Sequence, residues 1–376
     1  MAYVRELRTL PLKVAPLPGE AIDSWLEATA VKHRATFGAV LDQCGIRAGG
    51  IYGARLKSRL MTPPQQTIDD IAYVAGLTPD VVRGMTLTPL EPAPPPRHNH
   101  WEWRVSSRAC PHCLAETDGR WMLSWRHNLT FACMKHRCLL IDACAVCRQP
   151  LRSRPHRVRL VPVPGRCAAS RRNPGPGVNV LCGADLTIVS SPPLEPDHAV
   201  LWAQRHIVEL RSGCPPTLAF DGDAARSPDV LRDVLVLARW MVSSVDHAAL
   251  DSILSTLDVC AHFDLPSWPA TMRNAISPQS FGNPSVASTA VSIALGLAIL
   301  DSASGQEARN LLQRILTAAG RSGWIDRSGA RDLRRRLSAP VSRVYEFAFD
   351  KVRSSGRTTT VGSSASQPTA APSLPG

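Results

Sequence analysis

The chain has 376 residues, 44% of them hydrophobic, enough for two or three domains that each bury a core. Forty-three Lys and Arg against 31 Asp and Glu give a formal charge of +12 and a pI near 9.5. That balance favours a polyanionic partner, nucleic acid first, and the charges and prolines of the N-terminus leave no apolar core for a secretory signal. Arg- and Ala-rich codon usage accounts for the same charge without any partner, because only five of the basic residues are Lys.

The first ninety residues read as short helices, and residues 1–90 form the first expected domain. "GEAIDSWLEATAVKHRA" (19–35) places Ile22, Trp25, Leu26 and Ala30 at helical spacing, and "TFGAVLDQCGI" is a second helix. "TIDDIAYVAGLTPDVVRGMTL" (67–87) has a helix-turn-helix pattern, with Ala72 small at the crossing and Gly76 in the turn. Its second helix offers only Thr78, Asp80 and Arg83 as polar residues. That is thin provision for reading base edges, so a docking or structural role stands beside it. "EPAPPPRHNH" (91–100) is a stiff linker and the expected first boundary.

Residues 101–190 hold eight of the eleven cysteines and few long apolar runs, so metal would have to supply part of the folding energy. Residues 191–352 read as a C-terminal helical domain. The uncharged stretch 277–300 becomes helical from about Val286 and is too short to span a bilayer, hence a buried helix and no membrane partner. Residues 353–376, rich in Ser, Thr, Pro and Gly, read as a disordered tail. The expected fold is mainly α: a helix-turn-helix-like N-terminal bundle, a small zinc-stabilised α+β region with two zinc-finger (ribbon or knuckle) sites, and a C-terminal helical domain. The expected location is cytoplasmic.

By spacing, the donors fall into two sets. Cys110-x2-Cys113 is followed after nineteen residues by Cys133-x2-His136. Cys144-x2-Cys147 is followed after nineteen residues by Cys167 and, fourteen later, by Cys182. A C-x-x-C turn puts two thiolates on one side of a tight knuckle, half of a tetrahedral Zn²⁺ site. In a reducing cytosol such pairs are metal ligands rather than disulfides. Each set fills its shell, leaving no open position for water, so two structural Zn²⁺ ions are expected. His112, His127 and Cys138 are spare, and Cys138 is the one able to challenge His136.

Between Ala143 and Ala184 there is no Asp or Glu, but there are eight arginines: Arg148, Arg152, Arg154, Arg157, Arg159, Arg166, Arg171 and Arg172. They are expected to track a DNA backbone, since guanidinium pairs with phosphate oxygens bidentately. The plainer account is that several of them offset a four-thiolate site. On the DNA reading, replacing Arg152, Arg154 and Arg157 together weakens DNA binding without unfolding. Trp101, Trp103, Trp121 and Trp125 are expected to pack around the knuckles more than to stack on bases. The chain has no G-x-x-x-x-G-K-[ST], G-x-S-x-G or H-E-x-x-H motif and no singled-out carboxylate pair, so nothing argues for an enzyme.

Several of these stretches together resemble the TniQ/TnsD family of transposition target-selection proteins. They are "LPLKVAPLPGEAIDSWLEATA" (10–30), "ACPHCL", "RWMLSWR", "FACMKHRCLLIDACAVC" and "CGADL" (182–186). Met134 stands where the family often has Pro, and the last two cysteines lie farther apart than in its compact form. The resemblance implies the same two ligand sets: Cys110, Cys113, Cys133 and His136, then Cys144, Cys147, Cys167 and Cys182. It implies a non-catalytic adaptor of a Tn7-like system in the bacterial cytoplasm. Such an adaptor reaches target DNA or an RNA-guided effector complex and recruits an AAA+ ATPase transposition regulator; some members form homodimers. Two other readings stay open: a free-standing zinc and helix-turn-helix transcriptional regulator, and a degenerate zinc nuclease or deaminase, against which the closed ligand sets argue.

Overall fold

The computed structural model describes residues 7–46, 54–87, 106–153, 156–170, 180–191, 193–212, 219–220, 223–224, 227–245, 249–250, 253, 285–321 and 333–358. The chain divides into two compact units, one of Met1–His206 with Leu265–Ala290, the other of Ile207–Asp264 with Val291–Gly376. The segments 1–90 and 101–190 therefore fall in one unit, although the sequence suggests a boundary at 91–100. The Pro-rich stretch itself lies outside the described residues.

In the first unit, α1 (Ile22–Lys32), α2 (Phe37–Gln43), α3 (Ala54–Met61), α4 (Gln65–Ala75) and α5 (Pro79–Gly84) close over one core. Ile22, Trp25, Leu26, Phe37, Leu41, Ile68, Ile71 and Val82 are all buried in it. Local chemistry sets the ends. Thr36 Oγ1 accepts from Ala39 N at 3.2 Å to cap α2, and Gly76, at φ 67°, closes α4 in the left-handed conformation that glycine adopts without cost. Thr78 caps α5, whose first residue is Pro79. The Trp25 indole donates to Val14 O at 2.9 Å, fixing the incoming extended strand against α1. Unlike an amphipathic surface helix, α1 buries polar Asp23, Ser24, Glu27 and Thr29 as well as its apolar residues.

The cysteine-rich region packs directly on these helices. It comprises α6 (Pro111–Glu116), a 3-10 turn at Leu123–Arg126, and a two-stranded antiparallel hairpin of β1 (Ala132–Cys133) and β2 (Cys138–Leu139). The register pairs Ala132 with Leu139 and Cys133 with Cys138. Backbone ties cross between the two segments: Ala21 N donates to Trp121 O at 2.9 Å, and Phe37 N and Gly38 N donate to Leu160 O and Val158 O. A Cβ at Gly38 would sit 2.7 Å from that Val158 oxygen, so only glycine admits this approach. Trp121 and Trp125 are buried and meet edge to face at 5.8 Å, the packing role expected of them. Trp101 and Trp103 lie outside the described residues.

The first half of α7 (Ala199–Arg211) braces the hairpin: Gln204 Oε1 accepts from Phe131 N and Ala132 N at 2.8 and 3.1 Å. The first turn of α9 (Val286–Leu300) is held in the same unit. Asp142 Oδ2 accepts from Val286 N, and buried Arg108 donates to Thr289 Oγ1 at 2.8 Å. Arg108 also donates to Asn128 O and Thr130 O.

The second unit holds a short hairpin, β3 (Ala219–Phe220) with β4 (Asp223–Ala224), and α8 (Ser227–Ser244). It also holds the remainder of α9, α10 (Gly305–Arg321) and α11 (Ala339–Thr358). Val234, Leu237, Met241, Leu295, Leu312, Ile315 and Tyr345 are buried there. Buried Asp233 accepts from Ser338 N at 2.8 Å and from its hydroxyl, anchoring the start of α11. Helix α9 starts at Val286 and is buried almost throughout, as its composition suggests. Residues 353–358, expected to open a disordered tail, are helical, because α11 continues to Thr358; residues 359–376 lie outside the described residues. Among the described residues no helix is long and apolar enough to cross a membrane.

Candidate metal centres and the arginine-rich surface

The first donor set converges. Cys110 is the N-cap of α6 and Cys113 lies in its first turn, where Pro111 starts the helix. Cys133 and His136 come from the hairpin and its turn, which Arg137 closes at φ 47°. The four ligand atoms lie within 4.8 Å of one another. Cys113 Sγ is 3.7 Å from Cys133 Sγ, and His136 Nδ1 is 3.4, 3.2 and 3.5 Å from the sulfurs of Cys110, Cys113 and Cys133. Four thiolates at 2.3 Å from a tetrahedral centre stand about 3.8 Å apart, and a sulfur and an imidazole nitrogen about 3.6 Å. The donors match that spacing, so this cluster can hold a metal ion.

Hydrogen bonds among the sulfurs divide the protons between them, pushing the Cys113 thiol up while lowering two of its neighbours. The side-chain hydrogen bond from Cys113 does most to pull the Cys110 thiol down, to about 6. Hydrogen bonds from Cys110 and then Cys113 hold Cys133 far below the ordinary thiol range. Glu116, one turn beyond Cys113 on α6, places Oε1 3.0 Å from His136 Nε2 and Oε2 2.6 Å from Lys135 Nζ. A carboxylate behind the imidazole fixes its orientation, so that Nδ1 is left facing the sulfurs.

The second set converges by another route. Cys144 and Cys147 occupy a turn, and residues 166–170 run antiparallel to 181–185, with bridges between Arg166 and Asp185 and between Ser170 and Leu181. Cys167 N donates to Ala184 O at 2.9 Å and Cys182 N to Ala169 O at 2.8 Å. This pairing sets Cys182 beside Cys167 although fourteen residues separate them in sequence. Cys144 and Cys182 sulfurs are 3.8 Å apart, those of Cys147 and Cys167 3.7 Å, and all four lie within 4.8 Å of one another. Burial opposes ionisation of Cys144, but backbone N–H groups of Cys147 and Val146 outweigh it and lower its pKa. Cys44, outside both sets, is buried against Asp70, and its thiol is pushed up to about 12: a core residue, not a ligand.

The five arginines of this run among the described residues do not form one surface. Arg148 and Arg159 are exposed; Arg166 is exposed and paired with Asp185 at 3.2 Å; half-buried Arg157 donates to Ser170 Oγ. Arg154, Arg171 and Arg172 lie outside the described residues. Arg152 corrects the expectation. Its guanidinium donates to both Glu27 oxygens at 2.8 and 2.7 Å, reaches Asp23, and lies over the Trp121 ring, with 11% of the side chain exposed. It is a buried ion pair, so substituting it with its neighbours would disturb the core as well as any DNA contact.

Sequence reasoning missed the network to which Arg152 belongs. Glu20, just ahead of α1, and Asp23 and Glu27, on one face of it, meet, respectively, Arg120, Arg126 with Arg152, and Arg152. Burial resists the ionisation of Asp23, yet Arg126 and Arg152 hold its carboxyl well below the usual range. Lys57, on α3, donates to Arg152 O at 3.0 Å beside this group. The signal was available: Asp23 and Glu27, at i and i+4, fall on the same face of α1 as apolar residues of its core side. The expected base-reading residues of α5 are also spoken for. Thr78 is the cap, and Arg83 donates to Asp80 and to Gln65.

A helical unit carrying two closed, thiol-rich donor clusters is thus the class this fold and site define. The TniQ family model matches residues 11–140, which span α1 to α6, the hairpin and the whole first cluster. Residues 11–140 are thus similar to a TniQ domain, and that match associates the chain with Tn7-like transposition. No curated protein matches the chain.

Proposed function

We propose that the chain is a non-catalytic target-selection adaptor of a Tn7-like transposition system, with zinc in both clusters, DNA on the second cluster and a protein partner on the helices. The observation that carries the reading is the pairing of a TniQ span with two closed four-donor shells, the second of which exposes arginine. Cys110, Cys113, Cys133 and His136 hold one ion, and Cys144, Cys147, Cys167 and Cys182 the other. Thiolate-rich tetrahedral sites suit Zn²⁺, and a full shell gives it a structural part. Counting each thiolate as −1, the first site carries about −1 and the second about −2. Arg148, Arg157, Arg159 and Arg166 outnumber that charge locally even after the Asp185 pair, and leave positive potential for phosphate. The C-terminal helical region 191–352 would be the partner-binding domain, and an AAA+ ATPase regulator the partner of choice, with an RNA-guided effector complex as the alternative route to the target.

The test is binding of zinc-replete, full-length protein to mixed-sequence duplex over a salt series. Affinity that rises steeply as salt falls, with little dependence on sequence, supports phosphate contact. No binding at 50 mM salt removes DNA from this surface and leaves a protein-docking adaptor. Strong preference for one duplex would instead revive the transcriptional regulator, against the internal commitments of Thr78, Asp80 and Arg83.

A further inference from the structure

The first cluster brings five donors to a site that needs four. Cys138, on β2, faces Cys133 across the hairpin, and its sulfur lies 3.7 Å from that of Cys110. That is the thiolate–thiolate edge of a tetrahedral site, and the same separation that joins Cys113 to Cys133. Cys138 is buried to 1% and its thiol bonds with both Cys110 and Cys133, so its neighbours are two donors already assigned. His136 is the donor at the rim, with 16% of its side chain exposed and its other nitrogen turned to Glu116. Only Arg137, in the hairpin turn, separates the two residues along the chain.

We propose that Cys138 is a reserve ligand, which takes the fourth position when His136 leaves it, so that the first site holds its ion either as three thiolates with an imidazole or as four thiolates. The proposal rests on the metal reading of this cluster. The exchange breaks the bond to the imidazole nitrogen and forms one to sulfur. The Cys138 thiol proton is released to solvent, and no oxidant is required. It moves the site from about −1 to about −2 in charge. Its sulfur already stands from that of Cys110 at the separation of two ligands on one tetrahedral ion.

Metal content and a cobalt spectrum of the full-length chain decide it. The wild type is expected to hold two zinc ions, His136→Ala two, Cys138→Ala two, and the double variant one. In the Co²⁺ form, the sulfur-to-metal absorption reflects seven thiolates in the wild type; it rises by about one seventh in H136A and is unchanged in C138A. If H136A is insoluble, His136→Asn preserves volume and reads the same count. One ion in the His136 variants, beside two in the wild type, overturns the reserve role. So does a C138A spectrum weaker by one thiolate, which would make Cys138 the resident ligand. A wild type holding fewer than two ions sinks the metal reading itself, and is seen before any substitution is made.

Discussion

The two donor clusters share a spacing, with nineteen residues between the second and third ligand in each, but not a setting. The first is anchored by regular elements: the start of α6, a hairpin in register, and Gln204 from α7 behind it. The second is built on turns and a short ladder of isolated bridges. Charge divides them too. Around the first, Glu116 pairs with Lys135 and His136, and the nearby arginines Arg120 and Arg126 are consumed by Glu20, ahead of α1, and by Asp23 on it. Around the second, Arg148 and Arg159 stand exposed. The same ligand arithmetic thus produces a centre committed to the fold and a centre committed to the surface.

The largest effect expected follows from removing donors. Cys110→Ser with Cys133→Ser leaves the first cluster only three donors even counting Cys138. It is expected to lose one ion and the ordered environment of Trp121 and Trp125. Apparent binding energies of structural zinc run to about 10–16 kcal/mol, more than a typical domain's whole stability. Cys144→Ser with Cys182→Ser is expected to lose one ion too, while the near-ultraviolet dichroism of the tryptophan pair survives. Equal collapse in both would erase the distinction drawn between the two centres.

Next in size is Arg152→Ala. Removing one partner of a buried ion pair strands Glu27 and leaves Asp23 with Arg126, and costs about 3–5 kcal/mol. Urea unfolding of the two proteins reads this directly. A loss below about 1 kcal/mol would return Arg152 to the solvent-facing group. Smaller again is the contribution of Lys57, 8% exposed beside Asp23, Arg126 and Arg152. Burial, then Arg126, pushes its pKa down to about 7. Between about 7 and the ordinary lysine value the unfolded chain binds the extra proton, so stability rises with pH, by less than about 1.4 kcal/mol per unit. Below about 7 both states are protonated and this slope vanishes. Lys57→Met is expected to flatten the rise between pH 7.5 and 9; an unchanged slope would mean that Lys57 keeps its proton in the fold.

The convergence of both donor sets was legible in the sequence because a C-x-x-C turn is a local structure, and its geometry survives in any context. The helices α1, α2, α4 and α5 were legible for a similar reason, through apolar spacing and the residues that end them: Thr36, Gly76, Thr78 and Pro79. What the sequence hid was pairing over distance. Nothing near Arg152 says that its partners are Asp23 and Glu27, 129 and 125 residues away, and a run of arginines without acids looks solvent-facing. The linker at 91–100 misled for the same reason. Proline stiffens a segment without deciding whether the chain on either side packs together, and Trp121 O, Val158 O and Leu160 O lie against α1 and α2 regardless. The gap to Cys182 looked too wide only while the ladder between 166–170 and 181–185 was unknown.

The smallest effect in stability is the most direct on function. Arg148 is exposed in the turn of the second cluster, at φ 59°, and Arg159 is exposed where the following loop meets α2. Arg148→Ala with Arg159→Ala removes no buried group, so stability is expected to shift by no more than about 0.5 kcal/mol. If both side chains neutralise phosphates, each removes about 0.9 from the slope of log affinity against log salt, or about 1.8 together. Between 50 and 200 mM salt that is about a tenfold difference in how far binding falls. Arg166→Ala serves as the internal control, because its guanidinium is already held by Asp185 and by Gly183 O. A slope that drops for the Arg148 and Arg159 pair but not for Arg166 would separate arginines that face phosphate from those that offset the four-thiolate centre. Equal drops would spread the contact over the whole knuckle. No drop in either would leave the charge of the second cluster as compensation for its own sulfurs, and both centres would then belong to the fold alone.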